Sequence, residues 1–207
     1  MNGFARWVSL LIGLLVFTSV VQAKPETLIL DNQHTYVLWT IKHLGFSTQA
    51  GKFYATGQLV IDKDHPQQSK VTAEINMANI STGLPELDDH LKSQLFFDVK
   101  QFPKATFVSD KVQMVGKDKA NVSGMLTLHG VTKPVVMHVT FNKSGMNPIT
   151  NRMTAGFSAI ATIKRSDFGI NALSPALDDT VHLNIEAEAY LNKPETVTLE
   201  NQDKKAE

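Results

Sequence analysis

The stretch Tyr36-Val37-Leu38-Trp39-Thr40-Ile41-Lys42-His43 decides how the chain reads. Val37, Trp39, Ile41 and His43 share one side of a two-residue period, and Tyr36, Leu38, Thr40 and Lys42 share the other. That is the pattern of a strand with one face buried. The same period returns downstream: Val71, Ala73 and Ile75; Val135, Met137, Val139 and Phe141; Val181, Leu183, Ile185, Ala187 and Ala189. Further strands read at about 27–30, 52–62, 104–113, 120–128 and 155–164, with turn-formers at 62–66, 116–118, 129–134 and 146–148.

One segment breaks the period. Leu84, Leu87, Leu91 and Leu95 recur at three or four, which predicts a short helix over 84–95. Pro85 suits its first turn, Glu86, Asp88 and Asp89 suit its positive dipole end, and Asp88 and Lys92 are spaced as an i,i+4 pair. About nine strands and one helix describe an all-β domain whose sheet edges must be hidden, by a sandwich or by a closed barrel.

Composition narrows the function classes. Among 207 residues, 20 are Lys or Arg and 20 are Asp or Glu, so the net charge is zero. Nothing here favours nucleic acid, which needs a basic stripe. With 43% hydrophobic and 19% charged residues, the chain can bury a core. The absence of cysteine excludes disulfides, thiolate zinc sites and cysteine nucleophiles. Residues 1–23 carry Arg6, an apolar run from Val8 to Val21 and Val21-Gln22-Ala23, the layout of a secretory signal peptide cleaved after Ala23. Cleavage removes one arginine and no acid. The remaining chain has no other apolar run long enough to span a bilayer. The expected organisation is a signal peptide at 1–23, a barrel at 24–191 and a polar tail at 192–207.

Six motifs then occur in order: His43-Leu44-Gly45, Asp88-Asp89-His90-Leu91, Phe96-Phe97-Asp98, Phe102-Pro103, the run from Leu126 to Pro134, and Arg165-Ser166-Asp167-Phe168-Gly169. Together they resemble the YceI-like family of exported, lipocalin-like proteins, over about Thr27 to Leu191. The resemblance implies an antiparallel up-and-down β-barrel of about eight strands with one short helix at the rim. It also implies a periplasmic, non-enzymatic protein whose apolar cavity holds a polyisoprenoid or related lipid, quinone-like, polyprenyl or fatty amide. The chain departs from the family pattern at Leu87, at Leu95 and in the shortened segment 53–57.

The apolar faces supply the candidate ligand site. Val37, Trp39, Ile41, Phe53, Val71, Ala73, Ile75, Phe107, Phe157, Ala159, Ala161 and Ile163 are expected to line the interior. Small inward residues (Ala73, Ala159, Ala161, Ala187, Ala189 and Gly124) leave volume that larger side chains would fill. In a meander, strands 2, 4, 6 and 8 end at one rim, so His43, the helix and Arg165 gather there. Arg165 either pairs with Asp167, Asp88 or Asp89, or joins Lys42 and His43 in meeting a ligand head group. The chain carries no HExxH, P-loop, dinucleotide fingerprint or nucleophile elbow. His34, His43 and His90 read as surface or capping residues. The expectation is a lipid carrier with no cofactor beyond its lipid, no nucleic-acid partner and a homodimer left open. Its rivals are an enzyme acting on such lipids with His43 or His90 as base, and a stress-related interaction protein.

Overall fold

The computed structural model describes residues 24–192. The strands are β1 (Glu26–Leu30), β2 (Tyr36–His43), β3 (Ser47–Ile61), β4 (Lys70–Asn76), β5 (Lys104–Met114), β6 (Lys119–Leu128), β7 (Val131–Met146), β8 (Met153–Lys164) and β9 (Leu177–Leu191). From β2 to β9 each strand pairs antiparallel with the next, and β2 also pairs with β9. Eight staves therefore close into a ring, which removes every edge among them. The signal-peptide reading of residues 1–23 lies outside the described residues, as does the tail reading beyond Asn192.

The up-and-down order holds for the eight staves, and β1 enters as an extension of one of them. β1 pairs antiparallel with both β3 (Leu28↔Leu59) and β9 (Leu28↔Leu191), as β2 does further along (Val37↔Phe53, Val37↔Ile185). It therefore runs in the direction of β2 and forms the first half of the same stave. The link stays on β9 instead of reversing. Asp31 N–H donates to Glu188 O at 2.8 Å, and the Thr35 hydroxyl donates to the same carbonyl at 3.0 Å.

β2, β4, β6 and β8 still end at one rim, as the period and parity predict. The β2–β3 turn closes with Phe46 N–H donating to His43 O at 3.0 Å, while Leu44 and Gly45 adopt φ of 51° and 76°. Positive φ at both positions matches the twist of a two-strand ribbon. The helix α1 (Pro85–Lys92) is shorter than its leucine spacing predicts. Ser93 turns extended, with its hydroxyl donating to His90 O at 2.7 Å, and Leu95 falls outside the helix. The predicted Asp88–Lys92 pair is replaced. Asp88 accepts from the Thr82 hydroxyl at 2.6 Å and its N–H at 2.8 Å, and Lys92 turns to Asp89 at 3.3 Å.

The larger buried cluster lies under α1. Trp39, Ile41, Phe53, Met77, Ile80, Leu91, Phe96, Leu128, Phe168, Ile170 and Leu177 form one buried cluster there. A second, smaller cluster of Leu28, Leu30, Ala155 and Ala189 ties β1 to β8 and β9. Close approach of two strands dictates a glycine in β3. Gly57 in β3 sits at φ +145°, and a Cβ there would collide with the Thr72 carbonyl oxygen of β4. Gly57→Ala should therefore destabilise the barrel by about 3 kcal/mol in urea denaturation. A loss below about 1 kcal/mol would show that β3 can relax away from β4.

Candidate functional site

The inward phase of the ring surrounds a cavity of about 960 Å³. Small-molecule sites run to roughly 300–1,000 Å³, so this is a large one. Val37, Trp39, Ile41, Phe53, Val71, Ala73, Ile75, Phe107, Phe157, Ala159, Ala161 and Ile163 all line it. So do Val135, Met137, Val139 and Phe141 of β7, and Val181, Leu183, Ile185 and Ala187 of β9. The sequence reading names none of this second group as ligand-binding, although their two-residue period carries the same signal.

Two small residues do not add volume. At Gly124 a Cβ would strike the Val108 carbonyl oxygen and Ser109 backbone of β5 and the tip of the Phe107 ring, so close strand approach leaves no room for a side chain there. Ala189 is fully buried against Leu28, Leu30 and Ala155, away from the cavity wall. The Trp39 indole covers Gly51, and its N–H is buried without a hydrogen-bond partner.

The three residues assigned to the mouth separate. His43 is half-buried and lines the cavity. Lys42 occupies the opposite phase of β2, so it points outward and is exposed, away from the lining. Arg165 reaches the cavity wall but is only 5% exposed. Its partners are neither Asp167, Asp88, Asp89 nor a presented head-group site. Nε donates to Asp178 O at 2.8 Å, Nη1 to Ile170 O at 2.8 Å and Nη2 to Leu177 O at 3.0 Å. The guanidinium fork staples the β8–β9 connection, whose carbonyls no sequence pattern reveals. Beside it, Asp179 accepts from the Ser166 hydroxyl at 2.7 Å and its N–H at 2.9 Å. Those bonds from Ser166 hold the Asp179 carboxyl below its ordinary range.

The charged lining is elsewhere. Glu26, Asp62, Lys63, Lys70, Lys117, Asp118 and Lys119 line the cavity where β3 and β5 end and β1, β4 and β6 begin, at the rim opposite α1. Lys63 pairs there with Glu26 at 2.8 Å. The histidine trio is not brought together. His34 sits in the 31–35 link, where Nδ1 meets Asp31 Oδ2 at 2.9 Å, while His43 and His90 lie at the α1 end. The Asp31 bond, followed by its charge, raises the His34 pKa above 6.5. Burial pushes the Asp31 carboxyl up, but the His34 bond and the Gln33 N–H outweigh it and leave it lowered. Glu188 brings a third possible metal-ligating atom within 4.8 Å of these two, although His34 is exposed.

A closed eight-stave barrel around an apolar cavity, stapled at one end and charged at the other, defines the class as a lipocalin-like binding barrel. The profile described as YceI-like domain matches residues 29–189, and the chain belongs to that family. A UPF0312 protein of Pseudomonas putida (strain W619) is 40% identical over 164 residues, covering 79% of this chain and 84% of the relative. The crystal structure of Burkholderia cenocepacia BcnA superposes with a TM-score of 0.69 at 26% identity, covering 77% of this chain and 98% of that one. A polyisoprenoid binding domain from Saccharophagus degradans, implicated in plant cell wall breakdown, superposes with a TM-score of 0.60. It is 16% identical, covers 81% of this chain and 99% of that one, and so shares the fold.

Replacing Arg165 tests the staple. Arg165→Met keeps much of the aliphatic stem but leaves three buried carbonyls without donors, so it should cost about 3 kcal/mol in chemical denaturation. A stability within about 0.5 kcal/mol of the parent would show that water replaces the guanidinium without penalty.

Proposed function

We propose that this protein binds and carries a long-chain apolar lipid, of polyisoprenoid or related type, inside the barrel. The carrying observation is the cavity of about 960 Å³, whose walls are aliphatic and aromatic on every stave. An apolar cavity of that size suits an apolar guest, since water finds few polar partners on such walls. Binding follows buried length, at roughly 0.8 kcal/mol per CH₂ before ordering costs. Membership of the YceI-like family supports the reading, and so does the Saccharophagus degradans domain, described as polyisoprenoid binding, which shares the barrel. A lysine-rich, acid-matched rim opposite α1 gives a polar end of the lipid access to water and charge. No catalytic role for His43 or His90 enters this reading. Neither side chain bonds to a carboxylate that would orient it as a base among the described residues.

Mass spectrometry of an organic extract from gently purified protein should find an apolar lipid in stoichiometric amount. Ala159→Phe with Ala161→Phe should fill the cavity and cut retained lipid about tenfold, at an overpacking cost of ~1–3 kcal/mol. Protein that purifies without lipid, and takes up no polyprenol from detergent, would sink the carrier reading.

The site of action we propose is the periplasm, reached by export and cleavage after Ala23. It is supported by the charged start, apolar run and small-residue end of residues 1–23. Amino-terminal sequencing of protein from the periplasmic fraction should begin at Lys24. Recovery of uncut chain beginning at Met1 would refute this placement.

A further inference from the structure

The two ends of the cavity differ in chemistry. Seven charged residues line the rim opposite α1. At the α1 end the lining carries no Lys, Asp or Glu among the described residues; His90 is exposed there and His43 and Gln49 are half-buried, beside two exposed leucines. Leu84, just before α1, and Leu173, in the 171–176 connection, both line the cavity, and both are 57% exposed. The one charged side chain on the wall there, Arg165, is buried and tied to carbonyls.

These two leucines flank the β2–β3 hairpin. His43 pairs with Leu177, which sets the 171–176 connection along one side of it. Lys52 and Ser81 exchange backbone bonds of 2.8 and 3.0 Å, which sets the segment leading to Leu84 along the other. The inner face of the hairpin contributes His43 and Gln49 to the cavity wall. Its tip carries Phe46, 90% exposed, and Leu44. Leu44 and Leu173 both hold positive φ, a conformation leucine rarely adopts, and both stand out from the barrel. Around the β6–β7 turn this end is packed. The Phe102 ring packs on Gly130 and His129, and His129 Nδ1–H donates to Phe168 O at 3.1 Å.

We infer that this apolar end, formed by Leu44, Phe46, Leu84 and Leu173, docks on the surface of a lipid bilayer, with the cavity opening onto it between α1 and the 171–176 connection. The proposal rests on the lipid-carrier reading, because what selects a bilayer over another apolar partner is continuity with a cavity for a water-insoluble chain. Exposed apolar residues around an opening are the kind of patch that marks a membrane contact. A lipid leaving the bilayer would then stay in apolar surroundings along its path, while the lysine rim faces water. Apolar exposure alone does not pick out this end. Toward the opposite rim Ile149 is 92% exposed without lining the cavity, and Met114 and Phe141, each 41% exposed, line it but stand beside the charged β5–β6 turn.

Flotation with neutral phosphatidylcholine vesicles tests the contact, at low and high salt, using the exported protein. The parent should float in both, because insertion of apolar side chains is insensitive to salt. Phe46→Asp and Leu173→Asp should each reduce the vesicle-bound fraction by about fivefold or more, and Ile149→Asp should not. Melting temperatures and co-purified lipid are read on the same preparations, and Phe46→Ser provides a milder variant should an aspartate disturb folding. Loss of flotation with cavity lipid retained supports docking at this end. Flotation unchanged in folded Phe46 and Leu173 variants overturns it. A parent that keeps its lipid but never floats overturns docking and leaves the carrier reading standing. A parent that floats through Phe46 and Leu173 but contains no lipid supports docking and defeats the carrier reading.

Discussion

The pairing of β2 with β9 is the constraint on which everything else rests. It joins Trp39 to Leu183 and Ile41 to Val181, residues from opposite ends of the domain, and turns an eight-strand meander into a ring. A flat meander with this period would present one apolar face to water and two open edges. Closure converts that face into an interior. Because the pleat alternates side chains strictly, one register places the apolar phase of all eight staves inside together, and a one-residue slip would turn a stave inside out. The 31–35 link helps hold this seam, since Asp31 and Thr35 both bind the Glu188 carbonyl of β9.

Closure alone does not make a cavity; side-chain size does. Near α1 large side chains, Trp39, Phe53 and Phe96 with the leucines around them, build the cavity wall and narrow it. Further along, Ala73, Ala159, Ala161 and Ala187 face inward on three different staves, β4, β8 and β9, and line the cavity with small side chains. The aromatic residues are placed so that they do not undo this. Trp39 lies over Gly51, so its ring rests against the wall beside it. That glycine thus stores aromatic bulk at the wall, while Gly124 lets β6 approach the Val108 carbonyl of β5.

The period of two was legible from sequence because burial on a strand is a local property: residues 37, 39 and 41 announce their common face without knowledge of any neighbour. All twelve cavity residues read in this way line the interior. The parity of strand directions was legible for the same reason. What stayed hidden depends on partners remote in sequence or on the backbone. The stacking of β1 on β2 is set by hydrogen bonds to Glu188, and its short apolar run gives no direction. Arg165 invites pairing with a nearby acid, yet three carbonyls take it, and carbonyls are the same in every sequence. The leucine at 95 keeps helical spacing with Leu91, but Ser93 ends the helix through its own hydroxyl bond to His90 O. Lys42 differs in kind: its outward phase follows from the alternation that turns His43 inward, so its place at the rim does not bring it to the cavity.

Stability and binding divide along the barrel axis. The packed cluster beneath α1 supplies close contacts among large side chains, where removing atoms carries both a transfer and a cavity cost. The cavity walls lack protein atoms on one side and so forgo part of the dispersion attraction that a filled interior gains. Arg165 works at the boundary, fastening the β8–β9 connection to backbone carbonyls rather than to any group on the far side of the barrel. The seam and the packed end can therefore hold the ring closed while the walls further down remain separated. An apolar chain lying between those walls would restore the missing contacts, and anything that binds the folded state alone shifts unfolding by mass action. In such a barrel the guest acts as a movable part of the core, and the alanines that admit it keep the fold from becoming independent of it.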